Sequence, residues 1–79
     1  MELISVGIGK WVRVVGIHGG KDLENKLRQL GLVPGDCARI LRQAPLGGPF
    51  LIEVSGRSIA VGRRVASLIE VEDSECVSL

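Results

Sequence analysis

The chain has 79 residues, of which 46% are hydrophobic and 24% charged, and its formal net charge is +1. This balance is typical of one folded globular domain and excludes a disordered chain. The longest stretch without a charge, from Gln43 to Ile52, is interrupted by prolines and glycines, so no membrane-spanning helix is predicted. The first residues also lack the features of a signal peptide, and we expect a cytoplasmic protein without direct membrane insertion.

The first strand and the helix are predicted from residues 11–30. Trp11 to Ile17 is rich in β-branched residues and predicts a strand. Beyond His18 and two glycines, Leu23, Leu27 and Leu30 recur at i, i+4 and i+7. This spacing predicts a helix of about three turns with one apolar face.

The end of this helix is predicted from its own sequence. Gly31 suits the left-handed position that follows a helix, and Leu32 can then fold back onto Leu27. Pro34 cannot continue the helix, and Gly35 favours a turn.

The rest of the chain predicts short strands joined by turns. Gly56 completes a Ser-Gly pair suited to a tight hairpin, and the stretch RRVASL after Gly62 suits one helical turn. About five strands with one inserted helix predict a mainly β fold, a small sheet curled toward a barrel, because closure protects exposed strand edges. We expect this domain to span residues 1–73 and to be followed by a short, acidic, flexible tail, 74–79. The later strands are predicted at 37–44, 50–55, 57–61 and 68–72.

The loop between two of these strands, APLGGPF, combines rigid and permissive residues. Pro45 and Pro49 restrict φ, while Gly47 and Gly48 permit a sharp reversal. The loop therefore holds Leu46 in a defined place. Two interpretations stay open: Leu46 contacts a partner, or Leu46 and the following Phe50 cap the barrel.

The two cysteines, Cys37 and Cys76, are 39 positions apart, with no CxxC spacing and no histidine cluster. The spacing supports neither a disulfide framework nor a zinc motif. We expect Cys37 to be a small buried hydrophobic residue and Cys76 to be an exposed free thiol.

Motifs for chemistry are scarce in this sequence. It has one histidine, no Gly-x-Ser-x-Gly nucleophile turn and no Walker-type phosphate loop, and we expect no enzymatic activity. The conceivable metal ligands have no recognised spacing, and no cofactor is assigned beyond weak binding of Fe²⁺ or another divalent transition metal. These conceivable ligands are His18, Asp22, Asp36 and Cys37.

Nucleic-acid binding is also excluded, because single-stranded binding surfaces combine basic residues with stacking aromatic side chains. The only aromatic residues are Trp11 and Phe50. The adjacent Arg63 and Arg64 are better suited to the helical turn or to an acidic protein surface.

Residues 3–72 resemble the ferrous-iron transport protein A family, FeoA. The resemblance rests on the LGLVPG turn after the helix and on the APLGGP loop, which occur in the same order and separation in that family. It implies an SH3-like barrel of about five strands with one inserted helix, acting beside the ferrous-iron permease FeoB, which carries a GTPase domain. One departure is Gly47-Gly48-Pro49, where the family commonly has Gly-Asp-Pro, so this loop lacks a carboxylate.

The resemblance therefore implies an adaptor that binds the cytosolic domain of FeoB and modulates iron uptake from the inner face of the membrane. The expected contact residues are Leu32, Leu46, Phe50, Arg63 and Arg64. Two alternatives stay open: an SH3-like regulatory domain acting on an iron-responsive transcription regulator, and a weak transition-metal-binding protein. Self-association also stays open.

Overall fold

The computed structural model describes residues 1–76, in which five strands and two helices follow a short 3-10 helix. The predicted order of elements is confirmed, and the strand bounds differ from the expected ones by one residue at most. The elements are the 3-10 helix Leu3–Ser5, β1 Val12–Ile17, α1 Lys21–Leu30, β2 Cys37–Gln43, β3 Phe50–Val54, β4 Arg57–Val61, α2 Arg63–Ala66 and β5 Ile69–Asp73.

The five strands form one antiparallel sheet in the order β4-β3-β2-β1-β5. Register shifts between Val14 and Gly16 in β1, and between Ile40 and Arg42 in β2, mark places where the ladder is irregular. Such irregularities bend and twist a strand, which curls a small sheet around its own core. The edge strands β4 and β5 are joined through α2, and the mainly β prediction is confirmed.

The core is aliphatic and forms because alternate residues of each strand face the same side of the sheet. In β3, for example, Phe50, Ile52 and Val54 are buried while Leu51 and Glu53 are half-buried. No polar or charged residue is buried within residues 1–76. The fully buried leucines are Leu3 and Leu32, and Leu27 is almost fully buried.

The helix ends as its sequence predicts. Gly31 has φ +101°, and its N–H donates to the carbonyl oxygen of Arg28 at 3.0 Å. The N–H of Leu32 donates to the carbonyl oxygen of Leu27 at 2.9 Å, which completes a Schellman motif. The hydrophobic contact of this motif places Leu32 in the core.

The apolar face of α1 is less buried than its spacing predicts. Only Leu27 is fully enclosed, while Leu23 is half-buried and Leu30 is 39% exposed. One side of α1 faces the end of β4 and α2 across an open groove, which leaves these leucines partly uncovered.

The β3–β4 hairpin is also confirmed. Val54 pairs with Arg57 across a two-residue turn, in which Ser55 and Gly56 have φ +52° and +77°. Positive φ at both central residues is the type I′ geometry that suits the twist of a hairpin.

The prediction for the cysteines is wrong, because Cys37 and Cys76 form a disulfide, with their Cα atoms 5.9 Å apart. β1 lies between β2 and β5, so Arg13 pairs with Cys37 while Val12 pairs with Asp73, the last residue of β5. Residues 74–76 then cross the start of β1, where the Cys76 sulfur lies 3.6 Å from the Val12 carbonyl oxygen. Sequence spacing cannot reveal a pairing that the strand order creates. The remainder of the expected flexible tail, residues 77–79, lies outside the described residues.

Candidate functional site

The β2–β3 connection, residues 44–49, is a tight turn closed by its own backbone. The N–H of Ala44 donates to the carbonyl oxygen of Pro49 at 2.9 Å, and the N–H of Gly48 donates to that of Pro45 at 3.2 Å. Leu46 and Gly47, the central pair of the inner turn, have φ +60° and +73°. This is again type I′ geometry, whose first central position normally holds Asn, Asp or Gly.

Among residues 1–76, Leu46 is the most exposed large apolar residue, with 103% of its reference surface accessible. A leucine in the left-handed region costs about 1–2 kcal/mol relative to the right-handed one. Neither the exposure nor the backbone conformation of Leu46 stabilises the fold. Strained residues that the surrounding structure holds in place are concentrated at functional sites.

The two glycines of the turn have different tasks. Gly47 supplies the positive φ, whereas Gly48 makes room: a Cβ atom at position 48 would lie 2.8 Å from the Cβ of Ala44. Such a distance is shorter than real Cβ atoms show, so Gly48 permits the close approach of the two strand ends.

Arginines flank the turn. The Arg63 guanidinium lies 5.5 Å from the centre of the Phe50 ring, within the range of a cation–π contact. Arg42 lines a shallow depression on the outer side of the sheet, beside Leu51. We call the following residues the hairpin-tip surface: Arg42, Ala44, Leu46, Pro49, Leu51 and Arg63.

Of the five expected contact residues, the structure retains three as surface residues. Leu32 is fully buried and Phe50 is 3% exposed, so both belong to the core and are unavailable to a partner. Leu46, Arg63 and Arg64 are exposed. The capping interpretation holds for Phe50 but not for Leu46, which points away from the barrel into solvent.

The four conceivable metal ligands do not converge. Asp36 accepts a hydrogen bond from the Val33 N–H at 3.0 Å, and Cys37 is in the disulfide. Asp22 is exposed in the first turn of α1, and exposed His18 lies beside Glu70 instead. Within residues 1–76, no group of three or more His, Cys, Asp or Glu side chains could hold a metal ion.

The remaining predicted turn residues serve the backbone. Gly35 has φ +100°, and its N–H donates to the carbonyl oxygen of Val14 at 2.7 Å, directly after Pro34. This bond fastens the turn after α1 to β1.

Glu70 of β5 carries an electrostatic feature that the sequence did not indicate. The ammonium group of Met1 donates a hydrogen bond to its carboxylate, and this bond lowers the pKa of Glu70. His18 Nε2, 3.7 Å from the other carboxylate oxygen, lowers the pKa of Glu70 further. Met1, His18 and Glu70 are far apart in the sequence, and the fold of the chain brings them together.

Residues 1–73 match the model of the FeoA domain. A protein of Methanocaldococcus jannaschii with the provisional name Fe(2+) transport protein A is 34% identical over 67 residues, 85% of this chain and 79% of that protein. Among residues 1–76, no helix has the length and apolar character needed to cross a membrane.

Two solved structures of FeoA proteins are also similar to this chain. The iron(II) transport protein A of Clostridium thermocellum is 36% identical with a TM-score of 0.86, over 92% of this chain and 45% of that one. The zinc-complexed FeoA of Stenotrophomonas maltophilia, described as a prokaryotic SH3 domain protein, is 25% identical with a TM-score of 0.75, over 91% and 89%. The chain therefore belongs to the FeoA family and has its SH3-like fold, a five-stranded sheet with one inserted helix.

Proposed function

We propose that this protein is a cytosolic adaptor of ferrous-iron uptake that binds the cytosolic domain of the permease FeoB through the hairpin-tip surface and modulates transport. The observation that carries the proposal is Leu46, fully exposed and held at positive φ between Pro45 and Gly47. The adaptor acts at the inner face of the membrane through its partner. Hydrolysis of GTP belongs to the partner, and we propose no catalytic role for this chain.

The hairpin tip has the properties of a binding anchor. A side chain on a short, hydrogen-bonded turn loses little conformational freedom when it is bound, so more of its contact energy is retained as affinity. Burying a leucine that is fully exposed in the free protein contributes about 1.5–3 kcal/mol. The anchor therefore favours an apolar pocket on the partner.

The charges around the anchor indicate the rest of the partner surface. The residues of the hairpin-tip surface include two arginines, Arg42 and Arg63, and no acid. Exposed Arg64 follows directly. Arginine is enriched in protein interfaces, and complementary charge increases the rate of association. The expected partner surface is an apolar pocket with an acidic rim.

The relatives support this proposal. The M. jannaschii and C. thermocellum proteins are named for iron transport, and the S. maltophilia protein is described as a candidate activating factor of ferrous iron transport. An activating factor acts on another component. An exposed apolar side chain on a rigid turn is consistent with that mode of action.

The proposal is tested by calorimetric titration of this protein with the cytosolic domain of FeoB from the same source, with and without guanine nucleotide. We expect saturable binding that Leu46→Asp weakens at least tenfold, because a carboxylate cannot enter an apolar pocket with an acidic rim. Ile8→Asp is the matched control, since Ile8 is also exposed, at 64%, but lies in the turn before β1. Equal affinities of the two variants, or no binding by the unmodified protein, would contradict the proposal.

A further inference from the structure

A second surface lies on the side of the molecule where α1 faces the edge strand β4. It is an open, mainly apolar groove of about 120 Å³, and the 39% exposed Leu30 forms part of it. The groove explains why the predicted apolar face of α1 is only partly covered. Its lining residues are Leu23, Lys26, Leu27, Leu30, Ala60, Val61, Gly62 and Val65.

The sheet edge in this groove has free backbone groups. Among the described residues, β4 pairs only with β3, because it is the terminal strand in the order β4-β3-β2-β1-β5. The residues that flank a two-residue hairpin exchange hydrogen bonds, and hydrogen-bonded and non-hydrogen-bonded pairs then alternate. Starting from the Val54–Arg57 pair, Ser58 and Ala60 fall in the non-hydrogen-bonded positions. Their N–H and C=O groups therefore face outward, away from β3.

No other part of the described chain uses these groups. Within residues 1–76, neither Ser58 nor Ala60 makes a backbone hydrogen bond outside the sheet. An extended peptide segment placed beside β4 would hydrogen-bond both residues, as in other cases of strand addition. Alternate side chains of that segment would lie toward the leucines of α1, and the others would point to solvent.

The charged residues around the groove are basic and favour an acidic ligand. Lys26 lines it, and no acidic residue does. Arg57 begins β4, and its guanidinium lies near the end of α1, 3.3 Å from where a Cβ of Gly31 would be. Arg64 is exposed on α2 next to Val65 of the lining. A second copy of the chain would bring this basic rim against itself, which like-charge repulsion opposes.

We infer that the groove between α1 and β4 binds an extended segment of another protein in which apolar and acidic residues alternate, and that this segment adds a strand to β4. The inference does not rest on the permease or on Leu46. It assigns a second binding site, which recognises the segment through backbone hydrogen bonds to β4, an apolar groove and a basic rim near the acidic residues of the segment.

The test is a fluorescence polarisation titration of this protein with a labelled nonapeptide in which leucine or valine alternates with glutamate. We expect saturable binding at low ionic strength that weakens as salt is added. A peptide with lysine in place of glutamate should not bind. Two N-methylated peptides test which edge of the bound segment pairs with β4. Methylation of the alternate amides that face β4 should block the pairing, whereas methylation of the amides that face away from β4 should leave it intact.

Protein variants locate the site. Ala60→Pro removes an outward N–H without breaking a bond to β3 and should weaken binding at least tenfold. Lys26→Glu should weaken it about fivefold. Lys21→Glu, exposed at the start of the same helix and outside the groove, is the matched control and should leave the affinity unchanged.

Three results would overturn the inference: no binding of the acidic peptide, equal binding of both methylated peptides, or a dimer of the free protein that Ala60→Pro dissociates. If Ala60→Pro fails to fold, the methylated peptides still test whether the segment pairs with β4. Leu46→Asn should leave peptide binding unchanged, because Leu46 lies outside the groove. Failure of this inference and failure of the permease proposal are therefore distinguishable.

Discussion

Two short segments of this protein have similar compositions, but the leucine in one is buried and the leucine in the other is exposed. The helix-stop turn, residues 31–36, reads GLVPGD, and the hairpin tip, residues 44–49, reads APLGGP. Each combines glycine, proline and one leucine that its turn positions. Leu32 of the helix-stop turn is fully buried, whereas Leu46 of the hairpin tip is fully exposed.

The difference follows from the hydrogen bonds of each segment. The helix-stop turn is bonded to both of its neighbours: Leu32 N–H donates to Leu27 of α1, Gly35 N–H donates to Val14 of β1, and the Asp36 carbonyl accepts from Val14 N–H at 2.8 Å. In the part of the chain that the structure describes, the hairpin tip makes backbone hydrogen bonds only within itself, through residues 44–49. A turn tied to two elements contributes to the fold, while a self-contained turn can present a side chain to a partner.

The largest expected difference between the two segments is in stability. Leu32→Ala should lower the free energy of unfolding by about 2–5 kcal/mol, because it leaves a cavity in the core. Leu46→Ala should change it by less than about 0.5 kcal/mol, because the side chain has no contacts to lose. Chemical denaturation measures both, and equal destabilisation by the two variants would contradict the comparison.

The disulfide is a further link between the helix-stop turn and the rest of the fold, because Cys37 directly follows residue 36. Reduction should lower the free energy of unfolding by about 2–4 kcal/mol, because the bond closes a long loop in the unfolded chain. The geometry of the hairpin tip should stay the same. Denaturation with and without reductant measures the first effect, and the amide spectrum of residues 44–49 the second.

The Cys37→Ser, Cys76→Ser double variant is the control for that experiment and should not respond to reductant. The cytosol keeps most thiols reduced, so the redox state of this cysteine pair in the cell should be measured separately. Alkylation of the freshly purified protein, followed by mass determination, gives the number of free thiols. Two alkylated thiols together with a stability that is indifferent to reductant would contradict the disulfide.

A smaller effect is expected at Glu70, which lies outside both turns. Its carboxylate pKa is lowered in the folded protein by the Met1 ammonium group and by His18. A carboxylate with a lowered pKa stabilises the fold above its unfolded pKa, and this contribution disappears as the pH falls through the folded pKa. Glu70→Gln should therefore flatten the loss of stability as the pH falls below the unfolded pKa of a glutamate. An unchanged pH dependence would show that the ion pair does not form in solution.

The fold was largely predictable because its signals are local. The leucine spacing of α1, the Gly31 stop and the Ser55-Gly56 turn each depend on a few consecutive residues, and all three are confirmed. The disulfide was not predictable, because it depends on β1 lying between β2 and β5.

The candidate site was predictable only in part. The rigid APLGGP loop identified Leu46, and the resemblance to FeoA proteins rests in part on the same loop. The structure shows that Leu46 is exposed whereas Phe50 and Leu32 are buried. This difference depends on how the strands pack, and the sequence pattern alone does not show it. The groove beside β4 depends on an incomplete contact between two elements, for which the sequence has no local signal.

If Leu46 serves binding at the expense of stability, a single substitution in the turn should change the two properties in opposite directions. Leu46→Asn gives the turn the Asn-Gly pair that type I′ geometry favours. We predict that this variant unfolds at a higher denaturant concentration, with a gain of about 0.5–1 kcal/mol, and binds the cytosolic domain of FeoB at least tenfold more weakly. A variant that gains stability and binds as tightly as the unmodified protein would contradict the account.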